Sequence, residues 1–154
     1  MNESFICDWV LTRKIALGRA PKDPKHIKVL HEEGIKSIFT LCGEEDFQFS
    51  KNLLNQFKCQ RFVLPDHKEG RLPSIDELIN ALKILKKLQN FAPTYIHCVA
   101  SMERSPIVCI AWLVYECGYS PDVALAYVMQ VHKGTSPLAG QLQLIDQLMN
   151  LRMN

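Results

Sequence analysis

Short apolar segments alternate with longer amphipathic ones along the chain, and this alternation predicts strands and helices in turn. The segment Ile35–Leu41 is apolar and rich in β-branched residues, which is typical of a strand buried on both faces. Gln60–Leu64 predicts a second strand, ended by Pro65, and Thr94–His97 predicts a third, followed at once by Cys98. We therefore expect these strands to share one buried sheet.

Helix boundaries are marked by capping residues. Asp23-Pro24 predicts the start of a helix that ends at Gly34. Ser74 and Glu77 form the pattern of a capping box and predict a helix with one apolar face that extends to about Gln89. Three later helices are expected from about Ser105 to Gly118, from Ser120 to Gly134 and from Gln141 to Met149.

The order of the predicted elements indicates the fold class. Strands that alternate with helices predict an α/β fold, with a central, mostly parallel sheet flanked by helices. No repeat, low-complexity segment or linker interrupts the sequence, so residues 1–154 are expected to form a single domain. Ligands bind at the carboxyl ends of the strands in such sheets. We therefore expect the functional site after Leu41, Leu64 and His97.

The segment after the third predicted strand joins a cysteine to an arginine across five residues, from Cys98 to Arg104. A loop of this length between a strand and a helix can point its backbone N–H groups inward and hold an anion, aided by the helix dipole. The guanidinium of Arg104 can hold two phosphate oxygens at once. The same field favours the thiolate of Cys98, which makes it a candidate nucleophile for phosphoryl transfer.

Three neighbouring residues complete a candidate catalytic set. Ser105 can donate a hydrogen bond to the sulfur of Cys98, which would steady the thiolate as attacking and leaving group. His97 is expected to orient the loop through hydrogen bonds to the backbone. Asp66 follows a predicted strand and could protonate the leaving oxygen, then take a proton from water. An aspartate after proline is also common in ordinary turns.

These residues resemble the signature of a known family. The pattern His-Cys-x5-Arg-Ser is similar to that of protein tyrosine phosphatases, and nearly the whole chain resembles the dual-specificity branch of this cysteine-dependent superfamily. Pro65-Asp66-His67 resembles its general-acid loop, and the separation of Asp66 from Cys98 is close to that in small members. The phosphate-binding loop would then consist of His97, Val99, Ala100, Ser101, Met102 and Glu103 together with Cys98, Arg104 and Ser105.

The resemblance implies a reaction and a substrate class. It implies a phosphatase that hydrolyses phosphotyrosine and phosphoserine or phosphothreonine in proteins through a phosphocysteine intermediate. Such an enzyme needs no metal or organic cofactor for its chemistry. The chain is too short for the segments that deepen the pocket in tyrosine-only relatives, and a shallow pocket would admit all three phosphorylated residues. Sugar phosphates, RNA 5′-phosphates and lipid phosphates stay open as substrates, and the oligomeric state is not indicated.

Two loop residues depart from the usual pattern of this family. Glycine usually stands at the position of Ser101, and it tolerates backbone angles that serine does not. Glu103 puts a negative charge near the expected phosphate, where it either favours the start of the helix or faces the mouth and repels highly anionic substrates. Phosphoinositide phosphatases of the superfamily often carry lysines in this loop, and residues 99–103 contain none, which disfavours such substrates.

Two smaller signals have alternative interpretations. Some relatives carry a cysteine near the position of Cys42 that forms a reversible disulfide with the nucleophile, so Cys42 is a candidate redox partner of Cys98. A buried cysteine that acts as a small hydrophobic residue is the simpler interpretation.

Gln141 and Gln143 lie where some tyrosine phosphatases use glutamine to place the hydrolytic water, but a surface position is the simpler expectation for both.

Composition and charge indicate the environment of the protein more clearly than the reaction that it performs. The net charge of +2 and the apolar fraction of 47% are typical of a globular protein in water and give no indication of nucleic-acid binding. The longest apolar run, Ile107–Tyr115, is too short to span a membrane, and no signal-peptide pattern is visible, so we expect a cytoplasmic protein without membrane association. The six cysteines lack ligand spacing, so we expect free thiols and no metal site.

Other functions remain as alternatives. A phosphate-binding pseudophosphatase module would keep Arg104 and the loop, but it would have no use for an intact set of Cys98, Asp66 and Ser105. Sulfur or arsenate chemistry on the same loop would leave Asp66 and Ser105 idle. A purely structural role accounts for the apolar core but not for this combination of residues.

Overall fold

The computed structural model describes residues 5–99 and 103–153. The strands are β1 Asp8–Leu11, β2 Ile15–Gly18, β3 Ser37–Thr40, β4 Lys58–Arg61 and β5 Thr94–His97. The α-helices are α1 Pro24–Glu32, α2 Lys51–Gln56, α3 Ile75–Leu88, α4 Arg104–Tyr115, α5 Pro121–Val131 and α6 Ala139–Met153. Short 3-10 helices span His67–Glu69 and Gln89–Phe91.

The sheet has the strand order β1-β2-β5-β3-β4. β2, β5, β3 and β4 are parallel to one another, and β1 pairs with β2 in the antiparallel sense at one edge. The prediction of an α/β fold with a mostly parallel sheet is therefore confirmed. The antiparallel edge strand β1 was not predicted.

The register brings four residues into one row at the carboxyl edge of the sheet. His97 at the end of β5 lies opposite Gly18 on one side and Thr40 on the other, and Thr40 in turn lies opposite Arg61. Loops that leave the carboxyl ends of neighbouring parallel strands meet at the same edge. The segments that follow β3, β4 and β5 are therefore neighbours in space.

Two apolar cores cover the two faces of the sheet. Alternate strand residues point to opposite faces, so Leu17 and Ile96 belong to one core, and Ala16 and Tyr95 to the other. The larger core packs α3, α4, α5 and α6 on the first face, and the smaller one packs α1 and α2 on the second. Among the described residues, no helix combines the length and apolar character needed to cross a membrane.

The predicted helix caps are present. The side chain of Ser74 accepts a hydrogen bond from the Glu77 backbone, and the Glu77 carboxylate accepts one from the Ser74 backbone, which completes a capping box. The side chain of Ser120 caps α5, as predicted, by accepting a hydrogen bond from the backbone N–H of Val123. Gly34, which follows α1, has a φ of +85°, a left-handed conformation that favours glycine.

The strand predicted over 60–64 begins two residues earlier and ends three residues earlier than expected. β4 covers Lys58–Arg61, and its residues alternate between exposed and half-buried positions, because β4 is the outer strand and pairs with β3. The backbone of Phe62 and Leu64 still donates hydrogen bonds to the β3 side of the sheet, at Thr40 O and Leu41 O. The apolar residues that suggested a strand therefore belong to the segment that leaves β4.

Gly18 is required where β2 enters this edge of the sheet. A Cβ atom at this position would lie 2.2 Å from the hydroxyl of Tyr95 and 2.6 Å from the carbonyl oxygen of Ile6. The Tyr95 hydroxyl donates a hydrogen bond of 2.7 Å to the carbonyl of Arg19, the next residue. The close approach fixes the path of the chain beside His97.

Candidate active site

The candidate nucleophile lies where the sequence places it, directly after the central strand β5. Cys98 is buried, with 2% of its surface exposed, and α4 begins six residues later at Arg104. Val99, the next loop residue, accepts a backbone hydrogen bond of 3.2 Å from Ala20, which ties the loop to the segment after β2. The predictions for Ala100, Ser101 and Met102 concern residues outside the described ranges.

The sulfur of Cys98 is paired with the hydroxyl of Ser105. The two atoms Sγ and Oγ lie 3.1 Å apart, and both side chains are buried. Ser105 is held in the first turn of α4, whose residues 104–114 are all buried against the sheet and its neighbouring helices. A hydroxyl at this distance can donate to a thiolate, as the sequence predicts.

His97 links the loop to the neighbouring strand through both ring nitrogens. Nδ1 lies 2.9 Å from the carbonyl oxygen of Cys98, and Nε2 lies 2.7 Å from the hydroxyl of Thr40. A carbonyl oxygen only accepts, so Nδ1 carries the hydrogen, and Nε2 of the neutral ring accepts from Thr40. Burial lowers the pKa of His97 to about 4, so the ring is neutral at physiological pH.

The side chain of Arg104 is buried at the start of α4. Nη1 donates a hydrogen bond of 3.3 Å to the carbonyl oxygen of Leu64, and Nη2 lies 3.8 Å from the Asp66 carboxylate. Among the described residues, Nε is buried and finds no hydrogen-bond partner. A buried, unpaired donor costs free energy, and a bound oxyanion would satisfy it.

Asp66 lies beside Arg104 and remains partly accessible to water. Its Oδ2 atom is 3.8 Å from Arg104 Nη2, with 24% of the side chain exposed. Its Oδ1 atom accepts a hydrogen bond of 2.9 Å from the backbone of Lys68, which forms a local turn. The Asp66 carboxylate therefore takes part in an ordinary turn and also lies close to Arg104.

Comparison with known families decides the class of this site. Residues 17–152 match the family described as dual specificity phosphatase, catalytic domain. The chain belongs to this family. It is therefore a phosphatase of the cysteine-dependent dual-specificity superfamily, and the resemblance stated from its sequence is confirmed.

The relatives found by sequence comparison share only about a fifth of their residues with this chain. The Arabidopsis thaliana protein named phosphatidylglycerophosphate phosphatase PTPMT1 is 22% identical over 140 residues, which are 90% of this phosphatase and 41% of the relative. The human phosphatidylglycerophosphatase and protein-tyrosine phosphatase 1 is 21% identical over 146 residues, which are 91% of this chain and 73% of the relative. The phosphatase thus spans less than half the length of the plant protein.

Solved structures share the fold at similarly low identity. A crystal structure of PTPMT1 in complex with PI(5)P has a TM-score of 0.81 and 17% identity, and the match covers 96% of each chain. The human tyrosine phosphatase-like serine/threonine/tyrosine-interacting protein also has a TM-score of 0.81, with 20% identity over 96% of this chain and 98% of that one. These similarities establish the fold alone.

Glu103 occupies the N-cap position of α4 in the phosphatase. Its carboxylate makes no side-chain capping hydrogen bond, and its backbone angles are unusual for a cap, with φ −130° and ψ −53°. A negative charge at the N-terminus of a helix is favourable even where the side chain makes no capping hydrogen bond. The N-cap position is compatible with both predicted interpretations, because it places the carboxylate at the start of the helix and also at the end of the phosphate-binding loop.

Cys42 lies two residues after the end of β3 and is a buried, free thiol, and the other five cysteines are also free. Burial raises the pKa of Cys42 to about 11, and the neighbouring Arg104 opposes this effect. A neutral, buried thiol matches the interpretation of Cys42 as a small hydrophobic residue. Its role as a redox partner of Cys98 stays a prediction.

The expected surface position of Gln141 is wrong. Only 1% of the residue is exposed, and its Oε1 atom accepts a hydrogen bond of 2.9 Å from the backbone of Leu138. α6 starts earlier than predicted, at Ala139, so Gln141 falls in the first turn of the helix, where its side chain is buried and pairs with the preceding loop. Gln143 is exposed, as expected.

Sequence reasoning missed two residues, one at the end of β3 and one in the loop after it, that support the phosphate-binding loop. Thr40 binds His97, and the ring of Phe47 contacts the His97 ring edge-on, with centroids 4.7 Å apart. The position of Thr40 at the carboxyl end of a predicted strand was a usable signal, since such positions line ligand sites. No comparable signal pointed to Phe47, which lies in the loop after β3.

In the described part of the chain, no cluster of side chains could hold a metal ion.

Proposed function

We propose that the protein hydrolyses phosphotyrosine and phosphoserine or phosphothreonine in protein substrates through a phosphocysteine intermediate on Cys98. The observation that carries the proposal is the distance of 3.1 Å between Ser105 Oγ and Cys98 Sγ. The two residues lie at the carboxyl end of the parallel strand β5 and at the start of α4. A binding module without turnover has no need to steady this sulfur as a nucleophile and leaving group.

The first half of the reaction transfers the phosphoryl group to sulfur. The Cys98 thiolate attacks phosphorus while Arg104 holds non-bridging oxygens, and its Nε, which has no hydrogen-bond partner among the described residues, is one available donor. The bond from phosphorus to the substrate oxygen breaks, and Asp66 gives its proton to that oxygen. The alcohol leaves, and the phosphoryl group remains on Cys98.

The second half returns the enzyme to its starting state. Water attacks phosphorus, and Asp66, now a carboxylate, takes one proton from that water. The sulfur–phosphorus bond breaks, inorganic phosphate is released and the Cys98 thiolate forms again. The hydrogen bond from Ser105 lowers the free energy of the departing thiolate in this step.

A phospholipid is the second candidate substrate. The names of the Arabidopsis and human relatives include phosphatidylglycerophosphate phosphatase activity, and both align with nine-tenths of this chain. The carboxylate of Glu103 at the start of α4 favours the less anionic phosphoprotein over a polyanionic lipid headgroup. The absence of lysine from residues 99–103 supports the same choice.

A direct comparison of substrates tests this choice. We expect a phosphotyrosine peptide and a phosphothreonine peptide to be hydrolysed with kcat/KM at least about tenfold above that for phosphatidylglycerophosphate in detergent micelles. A reversed order would assign the lipid as substrate. Replacement of Glu103 by Gln should raise the rate on the lipid more than on the peptides if its charge sets the preference, with Glu116→Gln at the far end of α4 as the matched control.

Asp66→Asn tests the general acid. The amide cannot give a proton to the leaving oxygen, so kcat on phosphotyrosine should fall by about 100-fold, and the decline of kcat at high pH should disappear. The loss should be smaller on para-nitrophenyl phosphate, whose leaving group needs less protonation. Asp122→Asn, an exposed residue in the first turn of α5, is the control. An unchanged high-pH limb in Asp66→Asn would remove Asp66 from this role.

A further inference from the structure

Arg61 lies outside the phosphate-binding loop, at the carboxyl end of β4. It occupies the same row of the sheet as Thr40 and His97, and its strand is two positions away from β5, which Cys98 follows. Its side chain is half-buried, and none of the catalytic steps above uses it. Its contacts nevertheless lead back to the loop.

The guanidinium of Arg61 holds both ends of the segment that follows β3. Nη1 donates to the carbonyl oxygen of Cys42, and Nη2 donates to the carbonyl oxygen of Phe47 at 2.6 Å. The guanidinium also stacks over the Phe49 ring, with its central carbon 4.7 Å from the ring centroid. A planar fork can hold two carbonyls at a fixed separation, which a single ammonium group holds less well.

Phe47 passes this restraint on to His97. Phe47 is buried, with 7% of the residue exposed, and its ring contacts the imidazole edge-on, with the centroids 4.7 Å apart and the planes at 77°. The imidazole in turn binds Thr40 and the carbonyl oxygen of Cys98. An unbroken series of contacts therefore joins Arg61 to the backbone of the nucleophile.

The charge of Arg61 acts in the same direction as its contacts. Burial is the main reason why the pKa of His97 is lowered to about 4, and the positive charges of Arg61 and Arg104 lower it further. The neutral ring is the form that can both donate to the Cys98 carbonyl and accept from Thr40. Arg61 therefore supports the orientation of the ring and its protonation state together.

We propose that Arg61 is a positioning residue of the phosphatase, which holds the 42–47 segment so that Phe47 and His97 keep the backbone of Cys98 aimed at the bound phosphate. The proposal rests on the proposed function, because it assigns Arg61 to the step that Cys98 performs. A displacement of about 1 Å at a nucleophile can cost a factor of about 100 in rate.

Kinetics of Arg61→Gln, Arg61→Lys and Arg152→Gln test the proposal. Arg152 is the matched control, since its Nε atom also donates to a backbone carbonyl, that of Tyr115, at 2.8 Å on a distant helix. We expect Arg61→Gln to lower kcat on para-nitrophenyl phosphate by about tenfold or more, with KM changed less than about twofold. Arg61→Lys should recover part of kcat, and Arg152→Gln should match the wild type.

The imidazole of His97 provides a readout that a merely stabilising residue would not change. In nitrogen-15 spectra, wild type and Arg152→Gln should show the same neutral ring with hydrogen on Nδ1, whereas Arg61→Gln should shift both ring signals. Phe47→Leu should lower kcat as well, and the double variant with Arg61→Gln should lose no more than the worse single variant. Additive losses, or wild-type His97 signals in Arg61→Gln, would overturn the proposal.

A separate assay distinguishes failure of this inference from failure of the proposed function. Alkylation of Cys98 by iodoacetate, and its suppression by inorganic phosphate, report on the loop without any turnover. If the wild type hydrolyses no phosphomonoester, the proposed function fails, and Arg61 is then judged by this assay. Slower alkylation or weaker phosphate protection in Arg61→Gln supports the inference, and rates equal to those of the wild type contradict it.

Discussion

His97 has two polar ring atoms in a fully buried position, and each has one partner. The ring receives a hydrogen bond from Thr40 and donates one to the carbonyl of Cys98. Removal of either partner would leave a buried polar atom unsatisfied, which costs more than the bond itself contributes. These two bonds therefore fix both the tautomer of His97 and the start of the phosphate-binding loop.

Thr40→Val tests the importance of the first bond. Valine has nearly the shape of threonine but cannot donate to Nε2, so we expect the free energy of unfolding to fall by about 1–3 kcal/mol. Thr40→Ser keeps the hydroxyl and serves as the control, with a smaller loss. The measurement is chemical denaturation of the three proteins at neutral pH. Equal stability of Thr40→Val and the wild type would mean that Nε2 finds another partner.

The candidate catalytic residues could be predicted because their signal is local. Cys98, Arg104 and Ser105 lie within eight residues of one another, and a strand–loop–helix unit brings them together without help from distant segments. Asp66 required the further argument that neighbouring parallel strands end at one edge. The contact of Phe47 with His97 depends on how the 42–47 segment folds back, which no local pattern records.

At the scale of single elements, α3 is the clearest case of a helix specified by its own sequence. Its capping box, its acidic first turn and its basic last turn all agree with the helix dipole. The Glu77 carboxylate also binds Arg71, at 2.7 Å, and this bond lowers the pKa of Glu77 to about 2. The Glu77 carboxylate therefore stays ionised at pH values at which an ordinary glutamate is already protonated.

Ser74→Ala tests the contribution of the cap. Without the hydroxyl, the Glu77 backbone N–H loses its partner, and we expect the free energy of unfolding to fall by about 1 kcal/mol. Ser74→Thr keeps a hydroxyl and should remain within a few tenths of a kcal/mol of the wild type. Thermal or urea unfolding of the three proteins measures the difference. A loss in both variants would assign the effect to packing at this position.

The elements that escaped prediction lack such local support. β1 is a four-residue edge strand with one fully buried position, and α2 is a six-residue helix with one buried side chain, Leu53. β4 alternates between exposed and half-buried residues because only β3 pairs with it. A pattern of this length is too weak to stand out in the sequence, and tertiary pairing decides it.

At the scale of the whole molecule, the order of the strands determines where the chemistry lies. β5 is the last strand in the sequence, yet it sits between β2 and β3 at the centre of the sheet. The alternation of elements predicted the fold class, but it did not predict this order, which depends on pairings between strands that are distant in the sequence. The central position buries Cys98 and gives its loop neighbours on both sides.

Stability should depend on pH through His97. Its pKa falls from 6.5 to about 4 on folding, mainly through burial, so the unfolded chain binds the proton first as the pH falls. The stability is therefore full above about pH 6.5 and declines towards pH 4, by up to about 3 kcal/mol. Urea unfolding across this range should give a steeper decline for the wild type than for His97→Asn. Parallel curves would mean that His97 does not set this dependence.

The role of Cys98 is tested most directly by hydrolysis of para-nitrophenyl phosphate without added metal, together with rapid-quench trapping of a phosphorylated cysteine. The wild type should turn over and form phosphocysteine on Cys98, whereas Cys98→Ser should lose at least about 1,000-fold in kcat and form none. Cys117→Ser, an exposed thiol, should match the wild type. Residual turnover in Cys98→Ser near the wild-type rate, or phosphate trapped on another residue, would contradict the account.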